Sequence, residues 1–196
     1  MRVLPYFSMP AEFCAYDPGA TEIARLLCGA IQRVEPELQI EHVGSTSVPG
    51  CGGKGMIDLA VLYPEGFLAR ARAVLDGLGF QKQGGPEPFP ENRPMRVGCV
   101  EHDGCLFRIH AHVIARDSEE HDELVWFRET LRADSALRQC YEARKRAILA
   151  SGIQDSLEYC KAKGAFVTDV LQGFKRSRLP KLNEGKADTL RLNFRR

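Results

Sequence analysis

No stretch of the 196 residues approaches the 18 or more consecutive apolar positions that a membrane-spanning helix needs. The opening residues, Met1-Arg2-Val3-Leu4-Pro5-Tyr6, lack the apolar core and small-residue cleavage site of a secretion signal. The seven cysteines, Cys14, Cys28, Cys51, Cys99, Cys105, Cys140 and Cys160, contain no CxxC pair and are odd in number. That excludes the usual zinc framework and disulfide scaffold, and small buried hydrophobes in a reducing compartment account for them. Cys99 and Cys105, which flank a predicted hairpin, are the pair the pattern brings nearest. A P-loop is missing as well: Val48 stands where its first glycine belongs, and Gly55 follows Lys54 where Ser or Thr is needed. These absences predict a cytoplasmic protein with no membrane partner.

What is present suits one domain with a sizeable core. Hydrophobic residues make up 44% and charged residues 27% of the chain, the ordinary mix for a globular protein. The formal net charge of +1 hides an asymmetry, because residues 175–196 hold eight Lys/Arg against two Asp/Glu. The body is therefore acidic, which argues against broad nucleic-acid binding by the folded part. Residues 175–196 read as a basic, mobile tail, the one segment placed to touch RNA or an acidic surface.

The centre of the chain carries the chemistry. Ile40 to Val43 suits a short strand, which runs into Gly44-Ser45-Thr46-Ser47. A glycine frees φ and lets a ligand approach the main chain, and amides opening a helix suit a phosphate. A glycine-rich connector ends at Lys54, and Met56 to Tyr63 reads as a second strand. There Ile57, Leu59, Val61 and Tyr63 share one face and Asp58 lies on the other with Met56, Ala60 and Leu62. An acid amid strand formers is an unexpected packing residue.

Around this stretch the hydrophobic spacing predicts a helix over 18–34, opened by Asp17-Pro18, and a second starting at Pro64-Glu65-Gly66. A short strand is expected within 80–83, followed by a proline- and glycine-rich loop over 84–94 of the kind that connects elements or covers a site. Strands over 95–101 and 105–114 meet at His102-Asp103-Gly104 in a hairpin. The second strand sets Arg108, His110 and His112 in a row on one face, and three adjacent polar groups facing a core would each need partners. From about 117 the chain becomes helical, with a capping pattern at Asp117-Ser118-Glu119-Glu120, a cap at Asp134, a break at Gly152 and a last helix over about 154–172.

Gly-Ser followed about a dozen residues later by an acid on a strand resembles the nucleotidyltransferase signature. The longer string Glu41-His42-Val43-Gly44-Ser45-Thr46-Ser47-Val48-Pro49-Gly50, with Lys54 and Ile57-Asp58, is similar to the GrpB-like branch of that superfamily. The resemblance extends over most of residues 10–172 through His110-x-His112, Phe127-Arg128-Glu129-Thr130-Leu131-Arg132, Lys145 and the Tyr159-x-x-x-Lys163-x-x-Phe166 pattern. It implies an α+β fold, a mixed β-sheet flanked by helices with a C-terminal helical region, forming a single domain over 1–174. It also implies a nucleotide or small phosphorylated ligand on Gly44, Ser45, Thr46, Ser47, Lys54 and Arg108. Arg128, Lys145 and Lys163 would join that set if they converge on the same turn.

One departure from the superfamily pattern matters. Its second strand normally supplies Asp-x-Asp and a neighbour a third acid, but here Ala60 takes the second place and the histidine row the third. Two-metal Mg²⁺ chemistry loses most of its ligands. Asp58, His110 and His112 instead suit Mn²⁺, Zn²⁺ or Fe²⁺, Mn²⁺ or Mg²⁺ arriving with a nucleotide being the expected form ahead of Zn²⁺. Without a protein-held metal, the histidines and Arg108 would meet phosphate directly. Three readings stay open: a transferase-like enzyme with Asp58 on the metal and His110 or His112 in acid–base catalysis; a non-catalytic nucleotide-binding module; and a fold-stabilising role for the row.

Overall fold

In the computed structural model, which describes residues 2–178 apart from residue 154, the chain folds as α1 (Gly19–Val34), β1 (Gln39–Val43), a 3₁₀ turn (Ser45–Ser47), β2 (Met56–Tyr63), α2 (Leu68–Gly77), β3 (Gln81–Lys82), β4 (Met95–His102), β5 (Cys105–Ala115), α3 (Glu119–Ala133), α4 (Ser135–Ala150) and α5 (Ser156–Arg178). The five strands form one sheet in the order β1-β2-β5-β4-β3. Only the central β2–β5 pair is parallel; β1–β2, β4–β5 and β3–β4 are antiparallel. The fold is the α+β, mixed-sheet arrangement that the motif resemblance implied.

The alternation along β2 and β5 assigns the two faces. Ile57, Leu59, Val61, Ile109, Ala111 and Val113 point to one side and are sealed by Ile23, Leu27 and Ile31 of α1 and by Ala71 and Leu75 of α2. The opposite face is covered only in part: Ala60, Leu62 and Ile114 pack with Val43 under Leu124 of α3. A third cluster, Val48, Cys51, Leu131 and Tyr141, ties the glycine-rich connector to α3 and α4. Asp58, His110 and His112 share the second face with Ala60 and Leu62.

Turn chemistry follows the sequence closely. Asp103 and Gly104 both have positive φ, 50° and 76°, and His102 pairs with Cys105, which makes a two-residue hairpin of the handedness that matches strand twist. Ser118 caps α3 by accepting from the His121 amide, and Asp134 caps α4 by accepting from the Leu137 amide at 2.9 Å. Cys99 is buried, Cys105 exposed, and all seven cysteines are free.

Two boundaries differ from expectation. α2 begins at Leu68, because Pro64 to Phe67 close a turn first, with the Phe67 amide on the Pro64 carbonyl and Gly66 at φ 81°. α5 continues through Lys175–Arg178, residues assigned above to the tail. Buried Phe174 packs against Trp126 there, and Arg178 pairs with Asp122 at 3.0 Å. The rest of the tail, residues 179–196, lies outside the described residues. The N-terminal segment packs on the domain through bridges from Leu4 to Cys99 and from Cys14 to Gly53.

Ile109 is fully buried at the centre of the sheet. Ile109→Ala is expected to cost about 2–5 kcal/mol in urea unfolding, as for other buried large-to-small changes. A cost below about 1 kcal/mol would show that the α1–α2 face is not the main core.

Candidate functional site

Position 44 and position 58 are built as one unit. Val43 pairs with Asp58 across β1 and β2, so the chain leaves β1 directly over that carboxylate. Gly44 turns there with φ +71°, and a Cβ on it would collide with Asp58 Oδ2 and lie 3.0 Å from Asp58 Cβ and Cγ. Only a residue without a side chain admits both the turn and the acid. The connector that follows is held from every side. Arg132 Nη2 donates to the Ser47 carbonyl at 2.7 Å, and Glu142 accepts from the Gly52 amide at 2.7 Å. Lys145, 1% exposed, donates to the Gly52 carbonyl, and Arg108 Nη2 donates to the Lys54 carbonyl at 2.9 Å.

Two hydroxyls of the turn are already engaged within it. The Thr46 hydroxyl donates to the Met56 carbonyl at 3.0 Å, so it accepts the bond from His42 Nε2, also 3.0 Å away. The Ser47 hydroxyl donates to the Gly44 carbonyl at 2.6 Å. Both residues are buried, and their hydroxyls close the turn. Ser45 differs: a Cβ on Gly53 would find Ser45 Oγ at 3.0 Å and Lys145 Nζ at 3.2 Å, so hydroxyl and ammonium converge beside the turn. Lys145 also lies 3.4 Å from Cys51 Sγ and 4.2 Å over the Tyr141 ring, and burial pushes its ammonium down. Arg128 is not part of the cradle. It binds Glu41 at 3.1 Å and the His42 carbonyl at 2.9 Å, bracing β1 against α3.

At the far end, parallel pairing sets Asp58 against His110 and Ala60 against His112. Asp58 Oδ1 lies 3.6 Å from His110 Nδ1 and 3.6 Å from His112 Nε2. One ligand atom from each of the three residues fits within 4.8 Å of the others, the only such group of three among the described residues. The Asp58 side chain keeps 26% exposure, so the group faces a hollow rather than the core. Burial pushes the His110 imidazole down to about 4, against the pull of Asp58, and burial likewise holds His42 at about 4. Burial would raise the Asp58 carboxyl, but His112, His110 and Lys163 outweigh it and hold it below the usual range. Near neutral pH the site is one carboxylate beside a neutral His110.

Cations surround this group. Lys54 Nζ and Lys163 Nζ sit 4.8 and 5.5 Å from the centre of the Tyr159 ring. Burial works against both ammonium groups; Lys54 is lowered, whereas the acidic groups around Lys163, Asp58 among them, raise it. Beyond Lys54 and Arg108 lies a cavity of about 220 Å³, walled by Tyr16, Phe107, Met9 and Leu106.

Several side chains at the site carry no sequence signal. Tyr6 places its hydroxyl 3.5 Å from His110 Nε2. The 84–94 loop reaches the site: Phe89 meets the His112 ring edge-on at 5.8 Å, and Arg93 Nη1 donates to His112 Nδ1 at 3.2 Å. Glu120 of α3 holds the other edge of that guanidinium, and Arg96 with Arg72 pins Glu91. The proline and glycine content marked the segment, and nothing in it marked Arg93.

Apart from Tyr6 and Met9, the constellation lies in the part of the chain, residues 11–173, that matches the family described as GrpB protein. The chain belongs to the GrpB family. A UPF0157 protein of Streptomyces coelicolor is 30% identical over 142 residues, covering 71% of this chain and 68% of the relative. The crystal structure of GrpB from Enterococcus faecalis superposes with a TM-score of 0.63 at 21% identity, over 85% of this chain and 98% of that one. A mutant Cid1 poly(U) polymerase solved with MgATP aligns with a TM-score of 0.51 at 12% identity, over 72% of this chain and 46% of the polymerase. The GrpB fold is thus structurally similar to nucleotidyltransferases. Among the described residues no helix is long and apolar enough to cross a membrane.

Two outcomes test this geometry. Gly44→Ala should destabilise more than Gly66→Ala, because Gly66 has a similar φ of 81° but nothing within 4 Å of its Cβ position. Removing the carboxylate in the same chain (Gly44→Ala with Asp58→Ala) should return part of the loss in a double-mutant cycle; strict additivity would separate the two positions. Second, His42 and His110 are charged in the unfolded chain below about 6.5 but neutral in the fold down to about 4. Their stabilisation is complete above pH 6.5 and declines as pH falls toward 4, by at most about 1.4 kcal/mol per unit for each. Urea midpoints between pH 7 and 4.5 measure it, and His42→Gln should flatten the slope.

Proposed function

We propose that this protein binds the phosphate end of a nucleotide beside the Gly44–Ser45 turn, with a divalent transition-metal ion carried by Asp58, His110 and His112. The observation that supports it is the meeting of those three ligand atoms within 4.8 Å of one another, one strand pairing away from Gly44. The donor set favours a transition metal. Two imidazoles and one carboxylate suit Mn²⁺, Fe²⁺ or Zn²⁺, whereas Mg²⁺ prefers oxygen ligands, and Ala60 offers none beside Asp58. When bound, the ion would supply positive charge to a phosphate oxygen.

The chain's own groups do the remaining work. Ser45 Oγ and Lys145 Nζ stand together beside the turn, and Lys54 and Lys163 carry charge toward Asp58. The cavity beyond Arg108 gives the rest of a nucleotide an apolar wall. The MgATP-bound polymerase with a similar fold makes a nucleoside triphosphate the first ligand to try. The lone carboxylate favours binding over transfer, since a superfamily-type two-metal step has no second acid here. Turnover of radiolabelled nucleotide separates the two.

Calorimetric titration of the four nucleoside triphosphates with Mn²⁺ should give saturable binding that weakens at least tenfold in Asp58→Asn with the fold intact. Ser45→Leu, which fills the space beside the turn, should weaken it too. Equal affinity in the wild type and Asp58→Asn would reject the metal role, and unchanged affinity in Ser45→Leu would remove the turn from the site.

A further inference from the structure

The proposed cation site is not open as it stands, and the reason lies outside it, in the 84–94 loop. A neutral imidazole carries one proton, and the nitrogen without it accepts hydrogen bonds or binds metal. Arg93 Nη1 lies 3.2 Å from His112 Nδ1. A guanidinium only donates, so Nδ1 is the accepting nitrogen and the ring's proton sits on Nε2. That is the nitrogen 3.6 Å from Asp58 Oδ1. Held by Arg93, His112 thus turns an N–H toward the carboxylate and offers a cation no lone pair.

We infer that Arg93 is a positioning residue that sets the His112 tautomer and so keeps the Asp58–His110–His112 group in a cation-excluding state until the 84–94 loop shifts. This rests on the cation reading of the same three residues. The exchange balances without any added reactant. His112 keeps one proton throughout, lost from Nε2 and regained on Nδ1, and the freed Nε2 pair is then available to the ion. A protonated Nδ1 cannot face a guanidinium, so cation binding and the Arg93 contact exclude each other.

The surroundings hold the contact in its donating form. Glu120 pairs with Arg93 Nε at 3.0 Å and with Nη2, orienting the plane, and the guanidinium stacks 4.3 Å from the Phe89 ring. The Arg93 amide bonds to the Pro90 carbonyl at 2.9 Å. Glu91, two residues back, is gripped by Arg72 and Arg96. The guanidinium therefore arrives on a fastened segment. On the His110 side the contact is of another kind, since the Tyr6 hydroxyl can donate or accept and does not itself fix the His110 tautomer. Arg93 acts on His112 alone.

The test combines nitrogen-15 NMR of the histidine rings in the metal-free protein with Mn²⁺ and Zn²⁺ titration, in the wild type and in Arg93→Met. Methionine keeps an apolar contact for Phe89 and removes the donor. The wild type should show His112 protonated on Nε2. Arg93→Met should lose that bias and bind either ion about tenfold more tightly, with unchanged circular dichroism and His42 resonances. Arg93→Gln, whose amide can donate or accept, should fall between. A wild-type His112 protonated on Nδ1, or a tautomer unaltered by Arg93→Met, overturns the inference while leaving cation binding by the wild type to stand or fall by Asp58→Asn. A tautomer that shifts without any gain in cation affinity overturns the gating and leaves Arg93 as a structural contact. Absence of cation binding in every variant overturns both this inference and the function on which it rests.

Discussion

Everything at this site depends on the absence of one side chain. Because Gly44 has no Cβ, the backbone leaving β1 can pass directly over the Asp58 carboxylate. The turn and the acid therefore cannot move independently. Whatever displaces the acid displaces the main chain that leads into Ser45, and whatever draws the turn outward exposes the acid. The rest of the architecture fixes that contact. Antiparallel pairing of β1 with β2 sets its height, and parallel pairing of β2 with β5 brings two imidazoles alongside.

The C-terminal helices are the second requirement. A connector as rich in glycine as residues 44–55 has a large conformational entropy to lose on folding. Arg132, Glu142 and Lys145 offset that loss by bonding its carbonyls and an amide, while Val48 and Cys51 pack against Leu131 and Tyr141. The helical region is therefore a clamp on the loop rather than an appended layer. This explains why Thr46 and Ser47, which look like ligand hydroxyls, are spent inside the turn. A loop gripped from outside must also satisfy its own buried polar atoms.

The strand faces and the β4–β5 hairpin were legible in the sequence, because period-two alternation and a two-residue turn leave little freedom, whereas the histidine row beside Asp58 was implied only by the motif resemblance. Helix caps at Ser118 and Asp134 were legible for the same local reason. What was not legible depends on tertiary approach. Arg93 lies in a segment without periodicity, and Tyr6 reaches His110 across 104 residues. Arg128 matched a motif yet braces β1, since a basic residue on a helix carries no mark of which carboxylate it will meet. The end of α5 was missed because the charge run from Lys175 outweighed Phe174, whose packing on Trp126 carries the helix another turn.

Charge decides what kind of ligand this hollow can accept. In a two-metal site several carboxylates make the pocket negative, so cations enter first and phosphate follows. Here a single carboxylate faces Lys54 and Lys163, and His112, His110 and Lys163 hold it below the usual carboxylate range against burial. The pocket is positive before any metal arrives, so Coulomb's law favours an anion as the first species to enter. An anion drawn in this way would lower the cost of placing a divalent ion beside two ammonium groups, making the two ligands mutually supportive. It would also compete with Glu120 for Arg93, because a phosphate is the stronger partner for a guanidinium that lies partly in solvent. The same ligand that neutralises the lysines is therefore the one best suited to free His112. In this arrangement the order of binding follows from one missing acid.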